Sequence, residues 1–321
     1  MLNDVSLEII QKCLNQCMHC SSNSCYKSEA ILDFDIIKEV IEDIEYLGGN
    51  RLCLSGGEPF LHPEIIDIIG YATSKELFLD IYSSGIIGTP GREKAISKEL
   101  LYECKKNGLR RIIFNLQSQN PETYDSIMHT KNNFPLVIES IKNSQMCGIE
   151  TEIHFVPMKQ NYKEIKDVIK LAKDLKVNQV SFLKLVTHGR AKENKTQIEL
   201  SEQETIHVQK ELYKIKKDGS NIRIGLPLLF PEKQNMCHAV KEKIYIKFDG
   251  SVFGCEAFKY IKFFDDINNE ILPDNVYSKR LREIYCSSPF LLKSKELIKK
   301  YSCDISNCEN CPVQKYMKET L

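Results

Sequence analysis

"VSLEIIQKCLNQCMHCSS", residues 5–22, is the stretch whose reading decides the fold. Its first six residues, VSLEII, are mostly β-branched or apolar and read as a strand. Directly behind them come Cys13, Cys17 and Cys20 in a C-x3-C-x2-C spacing. A structural zinc takes four ligands and a disulfide framework an even number, so three thiols complete neither. With 13 cysteines in 321 residues, such a triplet arises by chance in roughly one chain in fifty. Three thiolates can instead bind three irons of a [4Fe–4S] cluster and leave the fourth open. A loop behind a strand is also where a parallel barrel carries its chemistry.

Outward from this loop, strand-like runs alternate with helical ones. Strands are expected at 5–10, 51–55, 77–83, 110–116, 151–157 and 178–185. Three-to-four apolar spacing predicts helices over 33–48, 63–72, 97–106, 134–146, 162–175 and 201–217. Six β-then-α units predict an α/β fold, a partial (β/α)6 TIM-like barrel over residues 1–225. A break near 225–235, with Pro227 and Pro231, opens a second unit over 226–321. There "IYIKFDGSVFGCEAF" (244–258) reads as a hairpin turning at Asp249-Gly250, followed by a polar helical stretch and a cysteine-rich end.

The chain carries 44 basic and 44 acidic residues. That balance gives no reason to expect nucleic acid or an anionic membrane as partner. With 42% hydrophobic and 27% charged residues it has a globular composition. No run has the roughly 18 apolar residues of a membrane span, and the opening residues lack a signal peptide's pattern. A cytoplasmic location is expected, and so many cysteines in a reducing compartment point to metal. Four residues precede the first strand, so an N-terminal leader-binding domain is not expected.

Behind the second strand stands "LSGGEPFLHPE", with Gly56, Gly57, Glu58 and Pro59. Alone, GGEP is an ordinary tight turn; after the very next strand beyond a C-x3-C-x2-C loop it is far more specific. Together the two motifs resemble the radical S-adenosylmethionine (SAM) enzymes, whose three cysteines hold a [4Fe–4S] cluster and whose GGE segment holds the methionine amine. The resemblance implies that the open iron chelates SAM, and that reductive cleavage gives a 5′-deoxyadenosyl radical that takes a hydrogen atom from substrate. It implies an external one-electron donor such as flavodoxin or ferredoxin. It also assigns Ser84 in "IYSSG" to the methionine end, and Asn115, Gln117 and Arg190 to the cofactor. Here "MH" at 128–129 replaces the family's Arg-Gly, so Lys131 or Arg190 stands in for the usual arginine.

Cys237, then twelve residues, Gly250, four residues and Cys255 resemble the opening of the auxiliary-cluster domain called SPASM or, when shorter, twitch. Cys308-x2-Cys311 would complete four ligands for one auxiliary [4Fe–4S] cluster. Six cysteines follow residue 230 where the longer form has about seven, which favours twitch, with Cys303 able to replace one ligand. A structural zinc on the same four thiolates is the other reading. Cys53, Cys104 and Cys147 read as packing. Cys25, Cys286 and Cys303 keep a second role as hydrogen-atom donors. His62, His129, His154 and His188 fall near strand ends or loops.

The resemblance implies an oxidoreductase or peptide-modifying enzyme, with maturation of a ribosomally made peptide by crosslinking, oxidation or epimerisation as the leading expectation. A dehydrogenase or epimerase of an amino sugar is the alternative. A zinc-binding protein or electron carrier without catalysis is the third.

Overall fold

The computed structural model describes residues 1–229, 237–302 and 311–320. All six expected strands are present: β1 (Asp4–Ile10), β2 (Arg51–Gly56), β3 (Phe78–Ser83), β4 (Arg111–Asn115), β5 (Glu150–Phe155) and β6 (Gln179–Phe182). The expected helices between them are present as well. The helices are α1 (Phe34–Tyr46), α2 (Ile65–Ser74), α3 (Lys98–Lys106), then α4 (Pro121–Met128) with α5 (Phe134–Met146), and α6 (Ile165–Asp174). Among them α4 is an addition that the apolar spacing did not predict. Local chemistry sets the helix starts. Ser97 caps α3 by accepting from the Leu100 amide, and Asn120 caps α4 by accepting from Glu122 and Thr123. Ser201 and Glu204 form a reciprocal capping box on α7 (Glu202–Lys217).

The sheet is larger than six strands. β7 (Ile222–Ile224) extends it parallel to β6, and β8 (Lys243–Ile246) pairs parallel with β1 at the other side. β9 (Val252–Phe253) closes the expected hairpin antiparallel to β8, with Tyr245 opposite Phe253. The turn closes through the Gly250 amide donating to Lys247 at 2.8 Å, with Gly250 at φ +85°. The order is therefore β9-β8-β1-β2-β3-β4-β5-β6-β7, a mostly parallel α/β sheet of the partial-barrel kind. Residues beyond 226 thus share the barrel's own sheet. They continue with helices α8 (Leu281–Ser287), α9 (Pro289–Ser302) and α10 (Pro312–Thr320).

The two faces of this sheet differ. Leu54, Ile81, Ile112, Phe114, Ile153, Phe155, Val180 and Phe182 are buried in the core formed with the helices. The alternate positions hold Glu8, Cys53, Asp80, Tyr82, Arg111, Asn115, Glu152, His154, Ser181 and Arg223. A parallel sheet covered on both faces is apolar on both. The polar face is instead the concave lumen of an open barrel. Its lower end is sealed by ion pairs. Asp80 meets Arg51 (2.6 Å), Arg111 (2.8 Å) and Arg110 (3.2 Å), and Arg111 continues to Glu152 at 2.8 Å.

Candidate functional site

At the upper end of the lumen, residues 11–32 leave β1 as an irregular loop. Each turn of this loop is tied to the barrel. Gln11 and Leu32 close its base through Ala30 and Ile9, both at 2.9 Å. The amides of Gln16 and Met18 donate to the carbonyls of Met128 (3.2 Å) and Ile127 (2.9 Å), in the last turn of α4. Those helix-end carbonyls lack intrahelical donors, so the loop serves as the helix's C-terminal cap. Arg190 donates from Nε to the Cys17 carbonyl (3.1 Å) and from Nη1 to the Ser24 carbonyl (2.9 Å), and Asn194 donates to Met18.

Cys13 and Cys17 are buried and Cys20 is half-buried. Burial pushes the Cys13 thiol well up, and Cys17, Glu58 and Cys20 add to it. Burial and Cys20 push Cys17 up to about 12, against the pull of Arg190. Cys13 and Cys17 are therefore buried near each other, with Glu58 and the half-buried Cys20 close by. In the loop, or on residues packed against it, lie buried polar atoms with no partner among the described residues: both amide atoms of Asn15, His19 Nδ1, Ser24 Oγ, Tyr124 Oη and Arg190 Nη2. Buried polar groups normally find partners, so this set fits a group that brings its own. No three His, Cys, Asp or Glu side chains among the described residues gather around a point that could hold one metal ion. In a [4Fe–4S] cluster each cysteine binds a different iron, and three thiols with a polar surround fit that group.

The segment behind β2 packs against the same loop. The amides of Gly57 and Glu58 donate to Ile10 (2.6 Å) and Lys12 (2.8 Å). Glu58 is completely buried and accepts from the Ser84 amide (2.7 Å), Ser83 Oγ (2.9 Å) and the Phe60 amide (3.2 Å), as well as from Ser84 Oγ. Burial raises its pKa while these donors hold it down. Pro59 begins a short 3-10 turn. Asn115 and Gln117 lie at the end of β4. Gln117 Nε2 donates to Asn115 Oδ1 and to the His154 carbonyl (3.1 Å), and its Oε1 accepts from Val156 (2.8 Å). His19 reaches Asn115, and burial lowers the His19 pKa to about 4. His154, edge-on to Tyr82 at 5.5 Å, is lowered by burial to about 3, with Nε2 unpartnered. Both rings are neutral at pH 7.

Some expected residues lie elsewhere. Lys131 is exposed, and Cys286 is exposed on α8, whose start is tied to α1 through Arg280 and Asp43 (2.9 Å). Cys25 gives its carbonyl to the Cys13 amide at 3.3 Å. Cys53 and Cys104 are buried and Cys147 is half-buried. His62 and His188 are spent on the Leu32 and Ala257 carbonyls, and His129 ends α4 with φ +50°. In the C-terminal part the hairpin of β8 and β9 carries Cys237 before it and Cys255 after it. Burial raises the Cys255 thiol, and Cys311 and then Cys237 raise it further. Cys303 and Cys308 lie outside the described residues.

One feature escaped the sequence reading. Lys259 is buried with its Nζ at 2.8 Å from Ser22 Oγ, 3.1 Å from Tyr245 Oη and 3.3 Å from Glu8 Oε1. Its signal was the lone glutamate inside the apolar strand VSLEII.

The sequence of residues 7–181 matches the radical SAM superfamily. The AdoMet-dependent heme synthase of Methanosarcina barkeri is 26% identical over 191 residues, 59% of this chain and 52% of that protein. The PqqA peptide cyclase of Bradyrhizobium diazoefficiens is 22% identical over 192 residues, 60% and 48% of the two chains. The chain spans about half the length of these curated relatives. In fold it is similar to Streptococcus suis SuiB bound to the precursor peptide SuiA, with a TM-score of 0.74, 15% identity, and 92% and 67% coverage.

Proposed function

The chain belongs to the radical SAM superfamily, and from that premise we propose that it modifies a ribosomally made peptide by crosslinking, oxidation or epimerisation. The observation that carries the site is the set of unpartnered buried polar atoms in and against the loop that bears Cys13, Cys17 and Cys20. When bound, the [4Fe–4S] cluster and SAM supply a 5′-deoxyadenosyl radical able to take a hydrogen atom from an unactivated carbon. Cys13, Cys17 and Cys20 hold the cluster as thiolates. Gly56, Gly57, Glu58 and Pro59, with Ser84, form the methionine end, where Glu58 holds the turn against β3. Asn115, Gln117 and Arg190 line the cofactor side. His154 Nε2 offers a neutral hydrogen-bonding group to substrate, and the Asp80–Arg111–Glu152 network keeps water from entering below.

Cys237, Cys255, Cys308 and Cys311, with Cys303 as a substitute, make a twitch-type second unit over 226–321 holding one auxiliary cluster; a structural zinc competes for the same thiolates. Electrons come from a flavodoxin- or ferredoxin-type donor. The fold shared with a protein bound to its precursor peptide supports a peptide substrate. Resemblance to a heme synthase supports a small molecule as the second reading.

The test is an anaerobic assay of iron-reconstituted protein with SAM and a strong reductant in heavy water, with and without a short peptide encoded beside the gene. Peptide-dependent 5′-deoxyadenosine with a loss of about two mass units means oxidation or crosslinking, and a gain of about one means epimerisation. Cleavage indifferent to peptide moves the substrate to a small molecule. No 5′-deoxyadenosine beyond that of a Cys13→Ala/Cys17→Ala/Cys20→Ala control sinks the enzyme reading.

A further inference from the structure

The sequence PETYDSIM of α4 sets Tyr124 one turn ahead of Ile127 and Met128, on one helix face. The end of that helix receives the cysteine loop, whose Met18 and Gln16 amides donate to the Ile127 and Met128 carbonyls. Tyr124 is completely buried, with its ring edge-on to Phe134 at 5.6 Å. Its Oη has no hydrogen-bond partner among the described residues. Burial holds the phenol well above its usual pKa, and Cys17, Asp125, Cys13 and Glu58 raise it further. The hydroxyl is thus a buried, unpartnered donor on the helix whose end the cysteine loop caps. A buried donor left unmade destabilises the folded chain, unless its acceptor arrives with a bound group.

We propose that Tyr124 Oη–H donates a hydrogen bond to a sulfur of the cluster held by Cys13, Cys17 and Cys20, and so raises its reduction potential. This rests on the cluster reading above. Reduction adds negative charge to the cluster, and a donor aimed at its sulfur stabilises the reduced form more than the oxidised one. Tyr124 would set how readily the cluster accepts the electron that starts the chemistry.

The experiment is a redox titration, followed by electron paramagnetic resonance, of iron-reconstituted wild type and Tyr124→Phe, read on the signal that changes when SAM is added. A Phe134→Leu variant disturbs the same packing but keeps the hydroxyl. Tyr124→Phe is expected to load as much iron, with its reduction equilibrium shifted about tenfold against reduction, about 59 mV for one electron. Phe134→Leu keeps the wild-type potential. Iron-free Tyr124→Phe melts at or above the wild-type temperature, because an unpartnered hydroxyl has been removed. Equal potentials at equal iron loading overturn the proposal. So does an iron-free Tyr124→Phe that melts clearly lower, since the hydroxyl then has a partner within the chain. Absence of any iron–sulfur signal in all three proteins brings down the cluster reading itself, and the proposal with it.

Discussion

Gly57 has no room for a side chain. A Cβ there would drive into the carbonyls of Lys12 and Gln11, and one on Gly56, at φ +125°, into that of Ile10. The glycines therefore let the GGE segment lie against the cysteine loop itself, so the two motifs form one packed unit. Gly57→Ala is expected to cost about 1–3 kcal/mol through overpacking and to lower iron uptake sharply while the far-ultraviolet circular dichroism stays unchanged. Iron per chain after reconstitution is the measurement, and full loading would refute the packing argument. Glu58 makes a second case. Glu58→Gln turns an amide NH2 toward the donors on Ser83, Ser84 or Phe60, which is expected to lose about 1–3 kcal/mol in urea denaturation of the iron-free protein. The motif residues were legible because their spacing is short. Ser83, 25 residues away in sequence, becomes Glu58's partner only once β2 and β3 lie side by side.

At the scale of elements, the strands and long helices were legible because each buries a simple period, two for strands and 3.6 for helices. β7, three residues long, and α4, two turns beside a polar turn-rich stretch, carry too little pattern to stand out. The charges inside strands were visible, but their partners were not, since a parallel register sets which strands meet. Asp80 on β3 shows what that register does. Burial works against its charge, yet Arg111, Arg51 and Arg110 hold its carboxyl below the usual range. A carboxyl whose folded pKa is depressed adds stability above its unfolded value near pH 4 and loses it as pH falls through the folded one. Asp80→Asn is expected to lose about 2–4 kcal/mol at pH 7, the range kept low because Arg51 and Arg110 are each over a third exposed. The gap to wild type narrows as pH drops below about 4. Denaturation series at several pH values check it, and a gap independent of pH would assign the loss to packing alone.

Across the whole molecule, the residues beyond 226 are joined to the loop that carries Cys20 in more than one way. Sheet pairing supplies part, through β8 against β1. Ser21 Oγ donating to the Glu256 carboxylate adds to it, and Lys259, four residues beyond Cys255, adds a buried cluster. Lys259 reaches Ser21 Oγ (3.4 Å), Ser22 Oγ, Glu8, Tyr245 and Glu256 (3.5 Å), with 1% of its side chain exposed. Burial opposes its charge, but Glu256 and Glu8 raise its pKa, so the ammonium persists. Removing one partner of a buried pair leaves the other uncompensated, whereas removing both can be nearly neutral. Lys259→Met is therefore expected to lose about 3–5 kcal/mol, to loosen the Ser21–Ser22 segment and to release iron faster from the neighbouring cysteines. Lys259→Met/Glu8→Leu should regain most of that stability. It should not regain all of the iron retention, because Lys259's contacts to Ser21 and Ser22 are still lost and only the Ser21–Glu256 hydrogen bond remains between Cys255's segment and Cys20's loop. A double-mutant cycle in urea, run beside iron-release rates, separates the two effects. If stability and iron retention recover fully together, the ion pair served folding alone, and sheet pairing with the Ser21–Glu256 hydrogen bond is sufficient to join the two parts.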